Sequence, residues 1–152
     1  MYKAGFIGCG NMGGALAAVA AQSVGGDRVL IADHHPEKLA ALQAARGCVP
    51  GTAAQAAAEC EMLFLGVKPQ VMRAAADEIR AVLAPRRGEA VVVSMAAGLT
   101  AAAVAELLGG ARVIRIMPNT PAAVGAGVIL YCPGDGVRPE EEAAFRTDRP
   151  CL

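Results

Sequence analysis

The pattern Gly8-Cys9-Gly10-Asn11-Met12-Gly13, set directly behind the apolar run Tyr2–Ile7, constrains this chain more than any other feature. Three glycines at this spacing suit a strand that turns sharply into a helix. The first permits the tight turn, the second lets backbone come close to a bound group, and the third lets helix lie on strand. The N–H groups at the start of that helix favour an anion in the turn. Asp33 closes the next apolar run, at the distance where such folds place an acidic residue against an adenosine ribose. His34 and His35 beside it offer the opposite chemistry, because protonated histidines would attract a 2′-phosphate. A solvated Asp-His-His turn capping the next helix is the plainer alternative.

The rest of the chain alternates in the same way. Val29–Ala32, Met62–Val67, Ala90–Ser94 and Arg112–Met117 are short apolar runs, with weaker strand signals at Gly47–Val49 and Gly127–Tyr131. Between them lie helical stretches: Gly14–Gln22, Pro36 to about Ala45, a Thr52-capped segment to about Glu59, Gln70–Leu83, and a Thr100-capped segment to Leu108. In Gln70–Leu83, the residues Val71, Ala75, Ile79 and Val82 share one helical face. Strands apolar on both faces and separated by helices predict a doubly wound α/β fold of Rossmann type, with a parallel sheet covered on both sides. A length of 152 residues allows one such domain.

Composition narrows the function classes. A hydrophobic fraction of 55% excludes disorder, and a formal net charge of zero argues against a nucleic-acid or anionic-membrane surface. No apolar run approaches the roughly 20 residues that cross a bilayer. Cys9, Cys48, Cys60, Cys132 and Cys151 form no CxxC pair and have no neighbouring histidine. They are expected to be small buried hydrophobes of a cytoplasmic protein, with no metal and no disulfide frame.

Three polar clusters follow predicted strands, at the edge where ligands of open α/β sheets bind. Gly66-Val67-Lys68-Pro69-Gln70 puts a cation there. Ser94-Met95-Ala96-Ala97-Gly98 is small enough for close backbone approach, and Arg115-Ile116-Met117-Pro118-Asn119-Thr120-Pro121 holds polar groups between prolines. Each alone could be an ordinary turn, and their convergence on one edge is what raises them. The Glu140–Glu142 run is expected to be an exposed helix face.

Together with Gly5–Gly13, these clusters resemble the successive signatures of the pyrroline-5-carboxylate reductase family over about residues 2–131. The resemblance implies reduction of the C=N bond of 1-pyrroline-5-carboxylate to proline by NADPH or NADH. It implies that Ile7, Gly8, Cys9, Gly10, Asn11, Met12 and Gly13 wrap the pyrophosphate, with Asp33 and His34 at the adenosine end. Gly66, Val67, Lys68, Pro69, Met95, Ala96 and Ala97 would line the ribose and nicotinamide end. Lys68 and Asn119 would position the reacting groups. The imine is electrophilic once protonated, so orientation carries most of the catalysis.

The departures from the family pattern fall in two places. Asp33-His34-His35 stands where members commonly carry an Asn-Arg-Thr-like trio, and Ala53 where an Asn usually contacts the ribose. Both changes suggest that NADH serves at least as well as NADPH. Members also continue into a helical domain that makes the dimer and completes the substrate site, and this sequence shows no counterpart. Residues 1–133 are therefore expected to form the dinucleotide-binding domain and 134–152 a truncated or unrelated tail. Two readings follow: the cofactor half of a reductase inactive on its own, or a stand-alone dinucleotide-binding module. A β-hydroxyacid dehydrogenase relative is a third, without a reason for Met117–Pro121.

Overall fold

The buried runs of the sequence become one seven-stranded sheet, ordered β3-β2-β1-β4-β5-β6-β7, in a computed structural model that describes residues 1–86, 88–118 and 129–148. In chain order the elements are β1 (Tyr2–Ile7), α1 (Asn11–Val24), β2 (Val29–Ala32), α2 (Pro36–Arg46), β3 (Val49–Pro50) and α3 (Ala53–Glu59). They continue as β4 (Cys60–Leu65), α4 (Met72–Leu83), β5 (Val91–Ser94), α5 (Ala101–Leu107), β6 (Val113–Met117), β7 (Leu130–Pro133) and α6 (Pro139–Asp148). Strands β1 to β6 pair in parallel. The doubly wound Rossmann-type architecture is therefore as expected from the alternation.

One strand departs from that expectation. Among the described residues β7 covers Leu130–Pro133 and runs antiparallel to β6, with Met117 opposite Leu130 and Ile114 opposite Pro133; Gly127 of the expected strand lies outside them. As the outermost strand it tolerates Pro133, which has no N–H to offer a further neighbour.

The sheet separates two apolar layers. On one face Phe6, Ile31, Phe64, Val93 and Ile114 pack under α1, joined by Phe145 of α6. On the other, Leu63, Leu65, Val92 and Val113 pack under α3, α4 and α5. Phe6 and Phe64 lie opposite each other on β1 and β4 and stack at 4.5 Å between ring centres. Burying each such side chain contributes roughly 1.5–3 kcal/mol. The many alanines do different work: Ala17 and Ala20 of α1, and Ala56 and Ala57 of α3, are buried where larger residues would hold helix away from sheet.

Three local expectations are corrected. The buried stripe of α4 is Met72, Ala76, Ile79 and Leu83, not Val71, Ala75, Ile79 and Val82. Pro69–Val71 form a separate 3-10 turn, so Val71 precedes the helix and is out of phase with it. Cys9, Cys48 and Cys60 are buried as expected, but Cys132 is exposed on the edge strand; Cys151 lies outside the described residues. Glu141 of the acidic run is buried, not solvated. Its carboxylate accepts Arg112 Nε–H at 2.8 and 2.9 Å, pairs also with Arg112 Nη2, and accepts Arg138 Nη2–H at 3.0 Å. Beyond residue 133, α6 seats a fully buried Phe145 against Tyr131, ring to edge at 5.3 Å.

Burial pushes the Glu141 carboxyl up, but the hydrogen bonds from Arg112 and Arg138 outweigh it and hold the group below its ordinary 4.5. A lowered folded value means the stabilisation is complete above the unfolded range and is lost as pH falls through the folded one. Replacing Glu141 by Gln should cost about 3 kcal/mol at neutral pH, since it strands Arg112 without its counter-charge. Urea unfolding of both proteins at neutral and acid pH checks this, and the gap between them should narrow as pH falls below the ordinary carboxylate range.

Candidate functional site

The strand order reverses direction at β1, which has β2 on one side and β4 on the other. Crevices at such reversals, beyond the carboxyl ends of the strands, are where open α/β sheets bind ligands. Here the crevice is a cleft of about 690 Å³, walled by the ends of β1, β2 and β4, the start of α3, and α4. That volume lies within the usual range for small-molecule sites.

The glycine loop forms its floor. Gly8 sits at φ 92°, with its N–H on Ala32 O at 2.9 Å, while the Gly66 N–H reaches Ile7 O at 2.7 Å. A Cβ on Gly13 would lie 2.1 Å from Gly8 O, and one on Gly66 would lie 2.5 Å from the same atom. Only glycines let the first turn of α1 and the end of β4 close on the Gly8 carbonyl. The helix starts at Asn11, three residues earlier than the sequence pattern suggests, because Gly13 belongs to its first turn. Gly10 is its N-cap and supplies no side-chain hydrogen bond, and the first turn carries no acidic residue. By contrast, Thr52 Oγ1 accepts the Gln55 N–H and Thr100 Oγ1 accepts the Ala103 N–H, each at 3.0 Å. The α1 terminus thus keeps its free N–H donors and positive dipole end toward the cleft.

The expected site residues divide. Ile7, Gly8, Gly10, Asp33, His34, Gly66, Val67 and Lys68 line the cleft. Gly13 is buried beneath the loop, Met12 is half-buried, and Asn11 is exposed at the helix start. Cys9 is also buried, its thiol directed to Ala32 O at 3.7 Å. Burial pushes that thiol up to about 12, with Asp33 adding to the effect, so it is no nucleophile at neutral pH. Pro69 is exposed outside the cleft wall. The Met95–Ala97 segment stands apart as well: Met95 packs on the core, Ala96 is buried with its N–H toward Ser94 Oγ at 3.4 Å, and Ala97 is exposed. Asn119 lies outside the described residues.

His35 and Ala53, both expected at the adenosine end, also line the cleft. The remaining lining residues were not anticipated: Lys38 comes from the start of α2, Gly51 and Thr52 from the β3–α3 turn, and Val71, Ala74, Ala75 and Glu78 from around α4. The phase shift of α4 is the cause of the last group. Once Met72 and Ala76 take the core, the flanking positions 71, 74, 75 and 78 turn to the cleft. Burial pushes the Asp33 carboxyl up, but hydrogen bonds from Cys9 and His35, with the charge of Lys38, outweigh it and hold it below the usual carboxylate range.

The open space above Gly10, where an added Cβ meets nothing within 4 Å, suits a group that must approach the backbone, such as a pyrophosphate. Among the described residues no group of His, Cys, Asp or Glu is arranged to hold a metal, and no helix is long and apolar enough to cross a membrane.

Comparison with known proteins points the same way. Residues 3–98 match the family described as NADP oxidoreductase, coenzyme F420-dependent. The chain is 39% identical over 145 residues to the pyrroline-5-carboxylate reductase of Escherichia coli K12, covering 93% of this chain and 53% of that protein. The structure of a pyrroline-5-carboxylate reductase from Coxiella burnetii superposes with a TM-score of 0.88 at 25% identity, over 99% of this chain and 56% of that one. The Plasmodium falciparum pyrroline carboxylate reductase, solved with NADP bound, shares the fold at a TM-score of 0.80 and 21% identity, over 99% of this chain and 55% of that one. The chain spans about half the length of the curated relatives it matches.

The two glycines should separate binding from folding. Gly10→Ala should keep its melting temperature within a few degrees, because the added methyl enters open space, yet weaken binding of a dinucleotide by about tenfold or more. Gly13→Ala should instead destabilise the fold by about 2 kcal/mol or more, the typical range of overpacking. Thermal unfolding and equilibrium titration of both variants test the contrast.

Proposed function

This chain belongs to the NADP oxidoreductase, coenzyme F420-dependent family, and from that premise we propose that it is the cofactor-binding half of a pyrroline-5-carboxylate reductase. Its dinucleotide is NADPH or NADH, and the substrate is the cyclic imine 1-pyrroline-5-carboxylate, reduced to proline in the cytoplasm. The observation that supports this most is the glycine-gated, uncapped start of α1 at the reversal point of the sheet.

In this reading the backbone N–H groups of Gly10, Asn11 and Met12 hold the pyrophosphate, by hydrogen bonds and by the helix dipole. Val71, Ala74 and Ala75 offer an apolar wall for the adenosine end, beside Thr52 and Ala53. Lys68, exposed beyond β4, supplies a positive charge at the rim, and Met95–Ala97 with Asn119 belong to the nicotinamide end. The reduced nicotinamide, when bound, supplies the hydride that saturates the C=N bond. Protein residues have little proton transfer to perform, since the protonated imine is already electrophilic; their work is to orient and to exclude water. The substrate site and the homo-oligomer interface of the whole reductase are assigned here to the half of the relatives' length that this chain does not span.

A second reading, a dinucleotide-binding module without reductase activity, draws on that same half-length match. Fluorescence titration with NADPH and NADH, followed by turnover assays with 1-pyrroline-5-carboxylate, tests both. Saturable binding of one dinucleotide in the micromolar range is expected, weakened about tenfold by Lys68→Ala, with little turnover by this chain alone. Absence of binding for both dinucleotides would overturn the proposal, and turnover would remove the second reading.

A further inference from the structure

An acidic residue closing the second strand of such a fold ordinarily accepts the hydroxyls of an adenosine ribose. The carboxylate of Asp33 is committed elsewhere. Its Oδ2 accepts the Cys9 N–H at 2.7 Å. Its Oδ1 accepts the His35 N–H at 2.9 Å and lies 2.9 Å from His35 Nδ1. Three of the roughly four acceptor positions of a carboxylate are thereby occupied. Only 8% of the Asp33 side chain is exposed, against 58% for His35. Two ribose hydroxyls would need acceptor positions and surface that this carboxylate does not have free.

The partner that matters is the Cys9 N–H. Cys9 lies between Gly8, whose φ of 92° sets the turn, and Gly10, the N-cap of α1. Its own side chain is turned inward to Ala32 O. The two residues are thus tied at side chain and backbone, from β2 to the crest of the glycine loop. Without that tie the crest would hang on the Gly8 N–H bond to Ala32 O and on the Gly14 N–H bond to Gly10 O. His35 in turn grips Asp33 through two donors, so the loop, the end of β2 and the start of α2 are one hydrogen-bonded unit.

We propose that Asp33 is a positioning residue that holds the glycine loop in its pyrophosphate-binding shape through the Cys9 N–H, and that it does not select between NADH and NADPH. The specificity half of this inference rests on the dinucleotide-binding reading above; the structural half does not. The acidic residue expected to favour NADH is instead an internal brace. A 2′-phosphate therefore meets a carboxylate already enclosed by donors, with His34 and Lys38 beside it on the cleft wall.

Two measurements on the full chain test this. The first is amide hydrogen exchange at Cys9, followed by NMR in the absence of any nucleotide. Asp33→Ala should speed it by about tenfold or more, while Asp33→Asn, which keeps an acceptor oxygen, should recover most of the protection. Unchanged exchange at Cys9 in Asp33→Ala would overturn the brace. If the alanine variant does not fold, protection retained in Asp33→Asn supports the proposal and protection lost there overturns it. The second measurement is the dissociation constants of NADPH and NADH. Both should weaken together in Asp33→Ala by about tenfold and return to within about threefold in Asp33→Asn, their ratio moving by less than about threefold. Loss of NADH affinity alone, or a tenfold gain for NADPH, would make Asp33 a ribose reader and overturn the proposal. If the wild-type chain bound neither dinucleotide, the functional reading would fail, and exchange at Cys9 would still decide whether Asp33 braces the loop.

Discussion

The Gly8 carbonyl is the point on which the rest of this structure depends. Three segments meet around it, and each must lack a side chain at the meeting point. An added Cβ on Gly13 or Gly66 would lie 2.1 or 2.5 Å from the Gly8 oxygen, inside any real contact distance. This closeness brings the first turn of α1 down onto β1 while β4 runs beside both. It aims the free N–H groups of α1 at the crevice between β1 and β4. Had any of the three been alanine, helix and strand would part, and the positive end of α1 would no longer face the cleft.

Polar groups elsewhere follow the same economy. Thr52 and Thr100 cap α3 and α5 through their side chains, while α1, α2 and α4 start without such a cap. Buried charge is matched at Glu141, by Arg112 and Arg138, and the buried Arg86 guanidinium donates to the carbonyls of Ala57 and Cys60 at the end of α3; Arg115 Nε, by contrast, is buried without a hydrogen-bond partner among the described residues. An unmatched buried charge would cost several kcal/mol. The start of α1 has only a glycine at its cap and opens at the cleft, where an anion can complete the hydrogen bonding of its N–H groups.

Much of the fold was legible in the residues because local signals agreed with global ones. Val29–Ala32 and Val91–Ser94 are strands whose apolar character on both faces suits a parallel sheet covered by helices on both sides. Thr52 and Thr100 announce their helices by cap chemistry. The misreadings share a cause: they concern residues whose role is set by what packs against them. Val71 looks core-facing by spacing until Pro69 inserts a 3-10 turn and shifts the phase of α4. Glu141 sits in an acidic run that suggests solvent, and only the position of Arg112 across the chain buries it. The direction of β7 has no local signature, since an edge strand pairs either way.

For the cleft, the same division holds. Periodicity, glycine spacing and strand-end position suffice to place Ile7, Gly8, Gly10, Asp33 and Gly66 to Lys68 at one rim, because backbone conformation and strand alternation are local properties carried by neighbouring residues. Which of those residues present a free group to a ligand is not local. Asp33 is an available carboxylate in one dimension and an occupied one in three, because Cys9 and His35 reach it first. Lys38, Thr52, Val71 and Glu78 are unremarkable in the chain and become cleft walls only when α2, α3 and α4 assemble around β1. The chain alone specifies the elements and the glycine turn; contacts between distant segments decide which side chains remain free at the cleft.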